Sequence, residues 1–286
     1  MTESENLRRR SSDASAAAPR DRVPRTLWVG LITVVVYVLL AAGVSNLLVD
    51  IVQPGSVAGE FALSHFVALP ILIVAGVIFV RWSGWSRDVW TLGDPAAAPA
   101  RPRRRWLLAV PILLLINPVL GLFATPWGDR PMVFVLTAAL GCLMIGFAEE
   151  LYYRGILRVS IRAHHGEFLT VLLTSLLFGV SHSFGSLTHG VPLPVVAFQV
   201  AVTSMNGVMF YAAFLATGRL WVPMLLHALT DFSLYVQSGD SDAAPGHAGM
   251  DLGPVSAVVQ VALGVFAVVF LISTIREGRR ERGVRA

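Results

Sequence analysis

The sequence is short of charge and cysteine, and it contains no lysine. Only 14% of its 286 residues are charged and 55% are hydrophobic, with a mean hydropathy of +0.68. All 22 basic residues are Arg. Because about a quarter of the residues in an ordinary soluble domain are charged, this composition excludes that class and indicates a membrane protein.

The cysteine count and the isoelectric point bear on two further features, disulfides and nucleic-acid binding. The single cysteine, Cys142, excludes an internal disulfide, and its apolar neighbours favour a packing role. A sequence pI near 9.8 is common among nucleic-acid-binding proteins. Here, however, the arginines cluster beside apolar segments, as in the cytoplasmic loops of membrane proteins. We therefore expect no nucleic-acid partner.

Apolar segments long enough to cross a bilayer recur along the chain. A helix of roughly 18 to 20 apolar residues crosses about 30 Å of hydrocarbon. The pattern predicts an all-α, polytopic transmembrane helix bundle of about eight spans in contact with the lipid bilayer. The spans lie near 27–49, 61–81, 106–124, 132–157, 168–184, 195–217, 220–237 and 254–275.

The arginines test this count, because they fall on alternate connections. The amino-terminal tail carries six Arg, and the connection between the second and third spans carries six more. By contrast, 50–60, 185–194 and 238–253 carry none, and 125–131 carries only Arg130. Since Arg accumulates in cytoplasmic loops, we predict a multi-pass protein of the inner (plasma) membrane with both termini in the cytoplasm.

The ends of the chain differ from its middle. Residues 1–25 are polar and rich in Ser, Ala and Arg, which predicts a disordered cytoplasmic tail. The apolar stretch that follows is too long for a signal peptide. We expect a transmembrane helical domain at 26–275 and a cytoplasmic tail at 276–286.

Ionisable residues inside the spans point to function. A charge at membrane depth costs at least about 2.5–3.5 kcal/mol, so such residues are rare. Glu149, Glu150 and Arg154 end the fourth span. Glu150 and Arg154 have the i,i+4 order that favours a helix ion pair, and adjacent positions differ by about 100°. Glu149 is then the freer carboxylate. The alternative is a solvated helix end.

Two more stretches carry such residues. His182 ends the segment FGVSH, and HALTD places His227 and Asp231 four residues apart on one helix face. That pair suits two metal ligands, or an imidazole and a carboxylate that serve one site. Taken singly, each also fits hydrogen-bonded packing between helices, which is our interpretation of His65, Asn117 and Asn206. Together the three stretches favour one shared site.

At these residues the chain resembles a known family. EELYYRG, FGVSH and HALTD are similar to the three motifs of the CAAX-protease and bacteriocin-processing family, also called type II CAAX endopeptidase-like. The resemblance covers roughly 130–237, the expected catalytic core. It implies an intramembrane endopeptidase that cleaves a membrane-associated protein or peptide.

The resemblance also implies roles. Glu149 and His182 would activate the attacking water, Arg154 would orient a carboxylate, and His227 with residue 231 would complete the site. Many members have Asn where this chain has Asp231. Because an ionised Asp cannot donate a hydrogen bond to an oxyanion, Asp231 better fits a metal ligand or an orienter of His227. The catalytic candidates are Glu149, Glu150, Arg154, His182, His227 and Asp231.

Two mechanisms are compatible with these residues. In one, Zn²⁺ is held by the set Glu149, His182, His227 and Asp231, and its bound water has a pKa near 7. In the other, a desolvated Glu149 is the general base without a metal. The zinc-protease signature HExxH is absent, so zinc rests on residue types alone. Both mechanisms stay open at this point.

Other functions compete with these. Gly179-Val-Ser181 weakly resembles rhomboid serine proteases, with Ser181 as nucleophile and His227 as base. Intramembrane carboxylates and histidines also form proton relays in transporters, but the sequence shows neither internal symmetry nor paired broken helices. A non-catalytic scaffold or immunity protein is the third alternative. For the protease, we expect access from the cytoplasmic side, through a cavity among spans four, five and seven.

Overall fold

A computed structural model describes residues 21–92, 105–188, 190–241 and 253–285, almost entirely as helix. Within these ranges the only β pairing is an isolated bridge between Thr91 and Arg219. The predicted all-α class is therefore confirmed. The long helices are α1 Leu27–Val52, α2 Val57–Ser83, α3 Arg105–Ala124, α4 Met132–Arg162, α5 Glu167–Leu187, α6 Leu193–Thr217, α7 Trp221–Ser238 and α8 Gly253–Arg285.

Among the described residues, seven helices are long and apolar enough to cross a membrane, and α7 is the long helix that falls outside this group. The predicted span at 220–237 does form a helix, but His227, Asp231 and Gln237 lower its hydropathy. It packs against α3, α4 and α6, so neighbouring helices shield its polar residues. The predicted count of about eight thus becomes seven apolar spans and one less apolar helix that packs among them.

Glycines allow the closest helix contacts. A Cβ on Gly146 of α4 would lie 2.5 Å from the carbonyl oxygen of Met224 and 2.8 Å from the amide nitrogen of Ala228, both on α7. A Cβ on Gly179 of α5 would lie 2.6 Å from the carbonyl oxygen of Val200 on α6. Small residues of this kind let membrane helices approach one another closely. They set the spacing of the helices that carry the ionisable residues.

The helix α4 changes its winding beside these residues. Its segment Leu151–Leu157 is a π-helix that begins directly after Glu150, and all seven of its residues are buried. A second π-helical segment, Leu39–Val44, interrupts α1. Such segments are rare and are frequent at functional sites. Helical periodicity in the sequence does not reveal them.

The described ends of the chain are structured. Arg25 pairs with Asp21 at 2.7 Å and with Asp88 at 2.8 Å, and Trp85 Nε1 donates to the carbonyl oxygen of Val23. Residues 21–25 therefore contact the bundle, and the predicted disorder at 1–20 lies outside the described residues. At the other end, α8 remains helical to Arg285, so most of the predicted tail continues the last helix.

Candidate active site

The structure brings the three motifs together around Glu149. Its Oε2 atom lies 3.6 Å from His182 Nε2 and 3.8 Å from His227 Nε2. The two histidines come from α5 and α7, whereas Glu149 belongs to α4. All six predicted catalytic candidates lie in this one cluster, although the roles assigned to them stay predictions.

The predicted ion pair between Glu150 and Arg154 is present and completely buried. Arg154 Nη1 donates to Glu150 Oε1 at 2.8 Å, and neither side chain is exposed. The guanidinium carbon lies 4.1 Å from the ring centre of Phe178, a cation–π contact. This ion pair holds Glu150 in place, and removal of one partner would leave an uncompensated buried charge.

His227 is held from both sides. Its Nδ1 lies 3.1 Å from Glu150 Oε1, and its ring stacks on Phe210 with centres 4.8 Å apart. Since an ionised carboxylate only accepts hydrogen bonds, Nδ1 is the donor in this contact. The other nitrogen, Nε2, faces Asp231 Oδ2 at 3.4 Å. His227 therefore presents Nε2 toward Glu149 and Asp231 in a fixed orientation.

His182 is oriented by its own helix. It follows the segment Glu167–Ser181, and its Nδ1 lies 2.7 Å from the carbonyl oxygen of Phe178. A carbonyl accepts only, so Nδ1 carries a proton, and Nε2 faces Glu149. Ser181 Oγ donates to the same carbonyl at 2.8 Å. The serine proton is engaged within α5, which weakens the serine-protease alternative.

Glu149 is the freer carboxylate, as its position beside Glu150 predicted. Its side chain is 16% exposed, and Oε2 has no hydrogen-bond partner among the described residues. Buried polar atoms in proteins almost always have such a partner, often a water molecule. A water or a substrate group that donates to Oε2 is the simplest way to satisfy this atom.

A cavity of about 510 Å³ contains the cluster. The sequence placed it among spans four, five and seven, but α1, α2 and α6 line it as well. His65 and Asn206 are among its lining residues, although the sequence pattern assigned them only to hydrogen-bonded packing between helices. For Asn117 that assignment is wrong, because neither of its amide atoms has a hydrogen-bond partner among the described residues. Other polar lining residues are Ser45, Asn46, Ser64, Ser181, Ser186, Gln199, Thr203, Thr230, Tyr235 and Ser241.

Comparison with known families identifies the segment that carries this cluster. Residues 131–233 match the family described as type II CAAX prenyl endopeptidase Rce1-like. The matched segment is therefore similar to that family over its whole length. The match confirms the resemblance found in the three motifs. A comparison with curated proteins finds no match to the chain.

The matched segment supplies the six ionisable residues but not the whole cavity. It extends from the start of α4 into the last third of α7. Tyr37 and Asn46 of α1, and His65 and Leu69 of α2, also line the cavity and lie outside the matched segment. The helices that precede the matched segment therefore help to shape the space beside its ionisable residues.

The side chains of the matched segment have the donor types that zinc prefers, but their positions do not form a zinc site. Both histidines have Nδ1 engaged and Nε2 directed at Glu149, the pattern of histidine ligands to zinc. The partnerless Oε2 of Glu149 is an available ligand atom. Among the described residues, however, no group of three or more His, Cys, Asp and Glu side chains is arranged to hold a metal ion. The donor types fit zinc, but their positions do not form a completed metal site.

Proposed function

We propose that this protein is an intramembrane endopeptidase that hydrolyses peptide bonds of membrane-associated proteins or peptides. Glu149 is its general base. The observation that carries the proposal is the partnerless, buried Oε2 of Glu149, which faces the Nε2 atoms of two histidines at 3.6 and 3.8 Å. The match of residues 131–233 to a protease family supports the same conclusion.

The atoms Glu149 Oε2 and His182 Nε2 can hold and activate a water molecule between them. A water molecule beside Glu149 Oε2 and His182 Nε2 donates one hydrogen bond to each. Glu149 then removes a proton while the water oxygen attacks the substrate carbonyl carbon, which is general base catalysis. The same carboxyl group returns the proton to the amide nitrogen as the carbon–nitrogen bond breaks. A general base of this kind contributes roughly 10²- to 10⁴-fold to the rate.

Glu150 and Arg154 act through His227. The buried ion pair fixes Glu150, and Glu150 holds His227 Nδ1 at 3.1 Å. Asp231 orients Nε2 from the other side at 3.4 Å. When protonated, Nε2 donates to the negative charge that develops on the substrate oxygen. Glu149 and Glu150 thus have different duties although they are adjacent in sequence.

Zinc belongs to this proposal as a second form of the same site. The residues that would hold it are Glu149, His182, His227 and Asp231, and zinc would supply a Lewis acid and a bound water with a pKa near 7. The orientation of the two imidazoles is required in either form. Their Nδ1 contacts with Phe178 and Glu150 keep Nε2 available in both.

The lining of the cavity favours cleavage of internal peptide bonds. None of its described lining residues is Arg, and the chain contains no Lys. A carboxypeptidase binds the terminal carboxylate of its substrate and needs a cation for it, usually Arg, so the lining argues against that class of exopeptidase. The cavity instead offers neutral hydroxyl and amide groups, which suit the backbone of an extended polypeptide.

The test is cleavage by the purified, detergent-solubilised protein carrying Glu149→Gln. A quenched fluorescent peptide library and detergent-soluble casein serve as substrates, and new amino termini are identified by mass spectrometry. We expect Glu149→Gln to lower kcat at least about 10²-fold, because the amide cannot accept the proton. The matched control is Glu60→Gln, since Glu60 lies in the first turn of α2 and outside the cavity lining. Full activity in Glu149→Gln would refute the assignment, and an inactive wild type would favour the scaffold alternative.

A further inference from the structure

The two ends of the helix bundle can be told apart by their contacts. At one end, here called the distal face, α1, α3, α5 and α7 finish and α2, α4, α6 and α8 begin. Ser45 of α1 there donates to the carbonyl oxygen of Ser64 of α2, and Ser186 of α5 donates to Gln199 of α6 at 2.7 Å. Arg130, which precedes α4, reaches the last turn of α7.

The opposite end, here called the proximal face, is held together in the same way. Leu220 donates its backbone amide to the carbonyl oxygen of Trp90 at 3.2 Å. Arg158 of α4 donates to the carbonyl oxygen of Asp88, and Arg22 bonds to Ser83 through the backbone at 2.9 Å. Contacts among the connections of each end therefore define two separate faces.

The cavity runs from the middle of the bundle toward the distal face. On α5 its lining lies at Ser181 to Ser186, the end of the helix, and on α6 it includes Gln199, in the first half. Val191 and Ser241, which lie just beyond helix ends at the distal face, also line it. The cavity thus extends from the ionisable cluster to the distal face, where Val191 is partly exposed, and we take this end as its mouth.

The proximal side of the cluster is closed. The π-helical segment Leu151–Leu157 lies between Glu150 and the proximal face, and all of its residues are buried. None of them lines the cavity. Phe214 and Leu220, near the proximal ends of α6 and α7, have no exposed surface. A substrate cannot reach Glu149 from the proximal face without unpacking this layer.

Charge identifies which face is cytoplasmic. The connections 50–60, 185–194 and 238–253 at the distal face contain no Arg. The fourth distal connection, 125–131, contains one Arg. This residue, Arg130, donates to the carbonyl oxygens of Val236 and Gln237 at 2.6 Å each, so it caps the carboxyl end of α7. The other described arginines outside the helix interiors all lie at the proximal face, and Arg-rich loops stay in the cytoplasm.

We propose that polypeptide substrates enter this site from the non-cytoplasmic side of the membrane. This inference rests on the proposed protease function and adds the class of polypeptide that the protease cleaves. The substrates are exported or membrane-anchored polypeptides whose scissile bond lies outside the cytoplasm. The direction of entry is opposite to the one expected from the sequence, which assigned the site to the cytoplasmic side.

The direction of the cavity can be measured by labelling single cysteines with a membrane-impermeant maleimide. Wild-type protein is the blank, because its only cysteine, Cys142, is 1% exposed. Ser181→Cys reports on the cavity, Val191→Cys on its mouth, and His164→Cys on an exposed turn of the proximal face. Each variant is expressed in a bacterial host and labelled in intact spheroplasts, after permeabilisation, and after denaturation.

We expect Ser181→Cys and Val191→Cys to be labelled in intact spheroplasts, and His164→Cys only after permeabilisation. Three results would overturn the proposal: protection of the cavity cysteines until permeabilisation, labelling of His164→Cys from outside, or labelling of Ser181→Cys only after denaturation. Labelling requires no catalysis. Failure of the protease assignment therefore appears in the cleavage assay alone, and failure of the entry direction appears in the labelling alone.

Discussion

Replacement of Gly146 by Ala tests whether helix spacing controls the site. A Cβ at this position lies 2.5 Å from the Met224 carbonyl oxygen, so α4 and α7 must separate by about 0.9 Å to restore an ordinary contact of 3.4 Å. The gap between Glu149 Oε2 and His227 Nε2, now 3.8 Å, widens accordingly. Misplacement of catalytic groups by about 1 Å costs on the order of 10²-fold in rate.

We therefore expect Gly146→Ala to lower kcat/KM about 10²-fold in the detergent cleavage assay. Its overpacking should cost roughly 1–3 kcal/mol of stability, which a lower Tm reports. The control is Gly264→Ala in α8, where the nearest atom, Met205 Sδ, is 3.6 Å from the new Cβ. Ala is a better helix former than Gly by about 1 kcal/mol, so this control should keep its activity and should not lower Tm. Wild-type activity in Gly146→Ala would refute the argument that this contact sets the site.

Three further predictions concern charge, nucleophile and metal. Arg154→Met leaves Glu150 buried without its cation and should destabilise the fold by about 3–5 kcal/mol. Adding Glu150→Met should recover Tm but not cleavage. An unchanged Tm in the single variant would contradict this reasoning. Ser181→Ala should retain cleavage because its hydroxyl is bonded within α5, whereas complete loss would revive the serine-protease alternative. The zinc form predicts about one zinc per purified chain by mass spectrometry, lost in His182→Ala/His227→Ala. A metal-free wild type that still cleaves would refute that form and leave Glu149 as the base.

Local patterns in the sequence predicted the parts of the site that depend on one helix. The ion pair between Glu150 and Arg154 follows from i,i+4 spacing, and the structure confirms it. The different direction of Glu149 follows from the angle between adjacent helix positions. These features depend on helix geometry alone. They persist although Arg154 lies in a π-helical segment, which no periodicity indicated.

Features that depend on packing between helices were beyond the sequence pattern. Gly146 and Gly179 give no periodic signal, yet they fix how closely α4, α5 and α7 approach their neighbours. The lining of the cavity by His65 depends on contacts between segments far apart in the chain. Hydropathy also misrepresents α7, because protein rather than lipid surrounds its polar residues. The orientation of both termini and the domain limits stay predictions.

A hydrolytic site inside a membrane needs water from one side only. The side chains that hold the catalytic residues in place also keep water away from the proximal side. Arg154 neutralises Glu150 with no exposed surface on either side chain, so the charge needed to hold His227 requires no water on the proximal side. The guanidinium rests on Phe178, and the same phenylalanine carbonyl orients His182. The residues that position the two histidines therefore also close the proximal end of the cavity, and the space beside Glu149 extends toward the distal face.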